Sequence, residues 1–85
     1  MSKVLVVTGG SRGIGHSVSI GAIKKGWRVC VNFVTNNERA DQTVDLIKDM
    51  GGEAIAVQAD ICYENDIIRL FDICETKLGP VEGFV

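Results

Sequence analysis

A doubly wound α/β fold around a parallel sheet is the architecture that this chain predicts, and three observations predict it. Strand-like and helix-like segments alternate along all 85 residues. The stretch Thr8-Gly9-Gly10-Ser11-Arg12-Gly13-Ile14-Gly15 lies directly between an apolar run and a segment with helical spacing. That run, Val4-Leu5-Val6-Val7, is uninterrupted, as a strand buried on both faces requires. Strand–helix three times, then a strand, implies right-handed crossovers and helices on both faces of the sheet.

Each element has its own signals. Val4 to Val7 reads as the first strand. Ile14 to Lys25 reads as a helix, with Ile14, Gly15, Val18, Ser19, Ala22 and Ile23 on one side. These are small or apolar residues, suited to a helix lying close on a sheet. Ile20 falls on the opposite side and has no account in the pattern. Gly26 is the stop. Trp27 to Val34 is a second, valine-rich strand. Asn36 or Asn37 is placed to cap the next helix, with Glu38 in its first turn and Ala40, Val44, Ile47 and Met50 at helical spacing. Gly51-Gly52 ends it, and Ala54 to Ala59 follows as the third strand. A third helix is expected from Glu64 to Leu78, with Ile67, Leu70, Phe71, Cys74 and Leu78 on one face and Gly79-Pro80 closing it. Val81 to Val85 begins a fourth strand. The expected strand order is 3-2-1-4, one Rossmann half with its switch point, so residues 1–85 read as the N-terminal part of a single NAD(P)-binding Rossmann domain.

Composition narrows the function. Hydrophobic residues make up 46% of the chain, enough for a core, though a small one. The net charge of −2 and the scatter of Lys and Arg offer no basic face to nucleic acid. No apolar run is long enough to span a bilayer, and Val4 to Val7 is too short for a signal-peptide core. No membrane association is expected, and a cytoplasmic location is. Cys30, Cys62 and Cys74 form an odd set without C-x-x-C spacing, so buried thiols are expected rather than a disulfide or a metal site. Cys62, in a loop, is the one candidate for a reactive thiol.

The glycine-rich turn carries the chemistry. Between a buried strand and a helix start, free backbone N–H groups and the positive end of the helix dipole converge on an anion. A residue without Cβ adopts φ > 0 and lets a phosphate come close. The turn is therefore expected to hold the pyrophosphate of a dinucleotide. The alternative is that the glycines only make a tight turn and allow close helix packing. The spacing is G-x-x-x-G-x-G, at Gly9, Gly13 and Gly15. Gly10 to Ser17 also resembles a phosphate-binding P-loop, but His16 stands where that loop requires a permanently charged lysine, which argues against nucleoside triphosphate hydrolysis. His16 itself is expected to be an exposed residue of the first helical turn.

The end of the second strand bears on cofactor choice. Cys30-Val31-Asn32-Phe33-Val34-Thr35-Asn36 lacks the acid that commonly accepts hydrogen bonds from the ribose hydroxyls of NAD. A 2′-phosphate would meet no repulsion there, and the fork of Arg12 in the turn suits it. NADP(H) is thus expected over NAD(H), unless Arg12 is a solvated charge or pairs with a carboxylate. Asp60, closing the third strand, either accepts from the adenine amino group with Ile61 against the ring or caps the third helix.

Thr8-Gly9-x-x-x-Gly13-x-Gly15, Arg12-Gly13-Ile14-Gly15, Val31-Asn32-Phe33, Gln58-Ala59-Asp60-Ile61 and Leu78-Gly79-Pro80-Val81 resemble the short-chain dehydrogenase/reductase family. Within it the chain looks most like the N-terminal third of the 3-oxoacyl-carrier-protein reductase and glucose-dehydrogenase-like branch. The resemblance implies that Gly9, Ser11, Arg12, Gly13, Ile14 and Gly15 form the pyrophosphate and 2′-phosphate loop. It places Asn32 and Phe33 at the adenosine ribose and Asp60 and Ile61 at the adenine, and it makes Thr8 a hydroxyl that holds the loop. It implies a hydride transfer to or from a small-molecule carbonyl or alcohol substrate, and a homo-oligomer, tetramer or dimer, for the complete protein.

The family's Asn-Asn-Ala-Gly stretch, its catalytic Ser and its Tyr-x-x-x-Lys all belong beyond the fourth strand, so no catalytic residue is assigned among these 85. Tyr63 has no Lys four residues on. Two readings follow: the cofactor-binding portion of an NADP(H)-dependent oxidoreductase, or a truncated dinucleotide-binding module without chemistry. A bare sheet edge at the fourth strand also predicts weak stability or association for the chain alone.

Overall fold

The computed structural model describes residues 3–9, 13–35 and 37–85, with the backbone alone at Gly13 and Ile14. Seven elements alternate as expected: β1 (Val4–Thr8), α1 (Gly13–Lys24), β2 (Arg28–Phe33), α2 (Asn37–Asp49), β3 (Ala54–Gln58), α3 (Glu64–Lys77) and β4 (Val81–Phe84). The four strands form one parallel sheet in the order β3-β2-β1-β4. Thr8 lies opposite Asn32, and Asn32 opposite Val57, so the carboxyl ends of β1, β2 and β3 come out abreast. The β1–β4 register shifts between Val4 and Leu5.

The period of two along each strand sorts side chains into two cores. Leu5, Val7, Val29, Val31, Phe33 and Ala54 face α1 and α2, where they meet Ala40, Val44 and Ile47. Val4, Val6, Cys30, Val57 and Ala59 face α3, where they meet Leu70, Cys74 and Leu78. Burial on both faces explains the unbroken valine runs. Ile20, which the helical pattern left unassigned, packs against the first core, because α1 is in contact with α2 as well as with the sheet. Met50, expected on the buried stripe of α2, falls after the helix and is exposed.

Helix ends follow from the same chemistry. After α1 the N–H of Trp27 donates to the Ala22 carbonyl and that of Gly26 to Ile23. After α2 the N–H of Gly52 donates to Ile47 and that of Gly51 to Lys48. Both are the paired bonds that satisfy the last carbonyls of a helix, with Gly26 and Gly51 at positive φ. Cys30 and Cys74 are fully buried in the second core. Their mutual hydrogen bond, and then burial, push the Cys30 thiol far above the ordinary thiol range. Both are the small buried thiols that the sequence led us to expect.

Candidate functional site

The carboxyl edge of the sheet gathers the loops that follow β1, β2 and β3. Gly9 ends β1 with φ +63°. L-residues with a side chain rarely adopt that conformation. Its N–H donates to the Asn32 carbonyl at 3.0 Å, which ties the turn to β2. A Cβ built on Gly9 would meet nothing within 4 Å among the described residues. Thr8 fastens the other side: its N–H and its Oγ1 both donate to the Val85 carbonyl, at 2.8 and 2.7 Å. Among the described residues the Thr8 hydroxyl thus ties β1 to the chain just beyond β4.

Helix α1 begins at Gly13 and carries no acidic residue in its first turn, so no side chain there offsets the positive end of its dipole. Gly15 follows, its carbonyl accepting from the buried Ser19 Oγ at 2.9 Å. Gly9, Gly13 and Gly15 are thus brought to one strand-to-helix junction. Ser11 and Arg12 lie outside the described residues, as does the side chain of Ile14.

The end of β2 is turned inward. Asn32 is 2% exposed, and its Nδ2 donates to the carbonyl of Val57 on β3 at 3.2 Å and to that of Ala59, just beyond β3, at 3.0 Å. Phe33 belongs to the core beneath α2. Neither side chain is displayed at the edge as an adenosine-ribose contact would suggest; Asn32 joins two strands there.

The loop after β3 is built around two aspartates. Asp60 Oδ1 accepts from the Cys62 N–H at 2.9 Å, and the Asp60 N–H donates to Asp66 Oδ2 at 2.8 Å. The residue at the start of α3 is Tyr63, without a side-chain cap, so Asp60 is not the helix cap. Asp66, in the first turn of α3, reaches back to fix Asp60, and Ile61 is left 41% exposed beside it. The Cys62 thiol is exposed, yet its hydrogen bond to the Asp60 carboxylate, and then that negative charge, hold it above the ordinary thiol range. That corrects the reading of Cys62 as a reactive thiol, because the thiolate is the nucleophile.

His16 is also corrected. It is half-buried rather than exposed, and its Nδ1 lies 3.1 Å from Thr43 Oγ1 on α2. Spacing along one helix could not reveal a partner 27 residues away. Among the described residues no group of three His, Cys, Asp or Glu is placed to hold a metal, and no helix is long and apolar enough to cross a membrane.

A parallel sheet in this order, with a glycine turn feeding an open helix N-terminus at its carboxyl edge, defines a Rossmann-type nucleotide-binding protein. Residues 3–85 match the family model of the short chain dehydrogenases, and the chain belongs to that family. It is 40% identical over 80 residues to a probable tetrahydroxynaphthalene reductase of Zymoseptoria tritici, covering 94% of this chain and 30% of that protein. It is 39% identical over its whole length to the short-chain dehydrogenase/reductase homolog YusS of Bacillus subtilis, covering 78% of that protein. A 1-cyclohexenylcarbonyl-CoA reductase of Streptomyces collinus is 35% identical, with 98% of this chain and 30% of that enzyme covered. The chain thus spans about a third of the length of most of these relatives. The crystal structure of a blue fluorescent protein from a metagenomic library in complex with NADPH superposes with a TM-score of 0.90 at 30% identity, over 96% of this chain and 34% of that one.

Proposed function

We propose that residues 1–85 are the cofactor-binding portion of an NADP(H)-dependent oxidoreductase that moves hydride to or from a carbonyl or alcohol substrate. One observation carries this reading: Gly9, which follows β1 at φ +63° with nothing described within 4 Å of where a Cβ would stand, precedes a helix α1 whose first turn holds no acidic residue. The geometry suits a pyrophosphate, whose oxygens accept from the amides of Gly13 to Gly15. The bound nicotinamide supplies the hydride chemistry, and the chain's own residues bind and orient it. Asp60, fixed by Asp66, presents a carboxylate to the adenine amino group, with exposed Ile61 against the ring.

Preference for NADP(H) rests on Arg12 and on the lack of an acid at the end of β2. With the Asn32 amide engaged by β3 carbonyls, no carboxylate and no free amide of that residue competes for the ribose. The proton-transfer residues of the family are not among these 85, so the chain by itself binds and does not turn over substrate.

A second reading, a dinucleotide-binding module without chemistry, is favoured by one finding: the chain covers 78% of YusS, a relative little longer than itself. NADPH oxidation in the presence of assorted ketones separates the two when measured on the polypeptide that the gene encodes. Turnover supports the enzyme, and saturable binding without turnover supports the module. Calorimetric titration of wild type and Arg12→Ala tests the cofactor assignment. NADPH affinity is expected to fall at least tenfold with NADH affinity little changed, and equal losses would defeat it.

A further inference from the structure

The carboxyl ends of β2 and β3 and the first turn of α3 are joined through one side chain, that of Arg69. Its Nη2 donates at 2.7 Å to the carbonyl of Gln58, the last residue of β3. The same nitrogen lies 3.4 Å from Gln58 Oε1 and 3.7 Å from Asp66 Oδ1. The Gln58 side chain carries the connection on, and its Nε2 donates to the Val34 carbonyl just beyond β2 at 3.3 Å. Asp66 thus has a partner on each oxygen: Arg69 at Oδ1, and the Asp60 N–H at Oδ2, 2.8 Å away. Asp60 is held twice more. Its Oδ1 accepts from the Cys62 N–H at 2.9 Å, and its carbonyl accepts from the Tyr63 N–H at 3.0 Å. The Arg69 and Asp66 side chains are 44% and 31% exposed. An ion pair in that setting adds little to stability, so what it fixes is position.

We infer that Arg69 is a positioning residue for base recognition: acting through Asp66 and Gln58, it sets the Asp60 carboxylate where that group accepts from a 6-aminopurine and rejects a 6-oxopurine. This role rests on the proposed reading of the chain as a dinucleotide-binding portion with Asp60 at the adenine. An ionised carboxylate only accepts, at up to about four positions, so the bond from the Cys62 N–H leaves room for an amino hydrogen of the base. Adenine carries that amino group at its 6-position. Hypoxanthine carries a carbonyl oxygen there, and two acceptors brought face to face repel. Discrimination then depends on how firmly the carboxylate is placed. A loop free to swing would move away from the 6-oxo group and lose the contrast. With the Asp60 N–H, carbonyl and Oδ1 all engaged, the carboxylate is ordered before the base arrives. Asp66 is the link that needs support, because its own side chain can rotate. A cation at one oxygen and a backbone donor at the other hold it from both sides. Arg69 itself is bound to the end of β3, so the support is referred to the sheet.

Calorimetric titration of the polypeptide that the gene encodes, with NADPH and with its hypoxanthine analogue, reads the preference directly. The two ligands differ at the 6-position of the purine, so the ratio of their affinities is insensitive to a general loss of stability. The wild type is expected to favour NADPH by roughly tenfold, the value of one hydrogen bond to a charged acceptor. Arg69→Met keeps the aliphatic stem and removes the donors. Its ratio should fall to about threefold, with the urea midpoint little changed. Asp66→Ala should bring the ratio close to one. Asp66→Asn, whose amide oxygen still accepts from the Asp60 N–H, should restore most of it. In Asp60→Asn the amide oxygen stays on the Cys62 N–H and the NH2 group meets the base, so preference should turn towards hypoxanthine. A wild-type ratio in folded Arg69→Met would overturn the positioning role, and so would equal losses in Asp66→Asn and Asp66→Ala. NADPH that shifts the Gly9 amide but binds no better than its analogue would overturn this inference alone. Binding of neither ligand would take the dinucleotide reading with it.

Discussion

Asn32 on β2 donates its side-chain amide to the carbonyl of Ala59, just beyond β3, at 3.0 Å, and to that of Val57 at 3.2 Å. The bond extends the β2–β3 pairing past the last strand residue and sets where the Asp60 loop leaves the sheet. A polar side chain at 2% exposure is tolerated there because its donors are satisfied.

Asn32→Ala removes those donors and leaves buried carbonyls short of a partner. A loss of roughly 2–3 kcal/mol in unfolding free energy is expected, the cost of stranding buried acceptors and opening a small cavity. Urea denaturation measures it. A loss below about 0.5 kcal/mol combined with weaker dinucleotide binding would mean that Asn32 reads the ribose instead.

Much of the fold was legible in the chain because the hydrophobic periods are unambiguous. Valine runs of strand length, helices stopped by Gly26 and Gly51, and the single Pro80 left few alternatives, and the strand order followed from the handedness of crossovers. What escaped the reading were contacts between elements. Ile20 packs against the first core, His16 meets Thr43, and Asp66 reaches back to Asp60, each a relation that no single-element pattern contains. The site divides in the same way. The positive φ of Gly9 was readable because it is local to a strand-to-helix turn. The inward turn of Asn32 was not, since it depends on the carbonyls of a strand 25 residues away.

Gly52 is closely packed. A Cβ there would stand 2.7 Å from Ile23 Cγ2 and 3.0 Å from Ile47 Cγ2. Both are branch methyls of stiff side chains, so Gly52→Ala is expected to destabilise by about 1–3 kcal/mol. Adding Ile23→Ala should recover part of that loss, and a double-mutant cycle in urea reads the coupling. Strict additivity of the two changes would contradict the packing described.

The Cys62 thiol follows Asp60. Since its hydrogen bond to that carboxylate holds it above the ordinary range, the thiolate fraction at neutral pH is below that of a free cysteine. Alkylation by iodoacetamide should therefore be slow near pH 7.5 and rise at higher pH than for a model thiol. Asp60→Asn removes the charge, lowers the midpoint and speeds the reaction at fixed pH. A slower reaction in that variant would reverse the assignment.

Gly9→Ala tests the turn from the side of conformation. Its positive φ should cost about 1–2 kcal/mol for a residue with Cβ. The added methyl meets no described atom, so the loss is expected to be strain alone in the unliganded protein. Dinucleotide affinity should fall by a larger factor than stability explains, because the methyl enters the space that a pyrophosphate would take. Affinity unchanged after correction for stability would remove Gly9 from the site.

The most direct test follows backbone amides by 1H–15N NMR during an NADPH titration of the chain. Saturable shifts centred on Gly9, Gly13, Gly15 and the Asp60–Ile61 loop, with β4 and the outer face of α3 unmoved, are the predicted result. Shifts gathered elsewhere on a folded chain, or none at saturating NADPH, would contradict a dinucleotide held at the opening of α1.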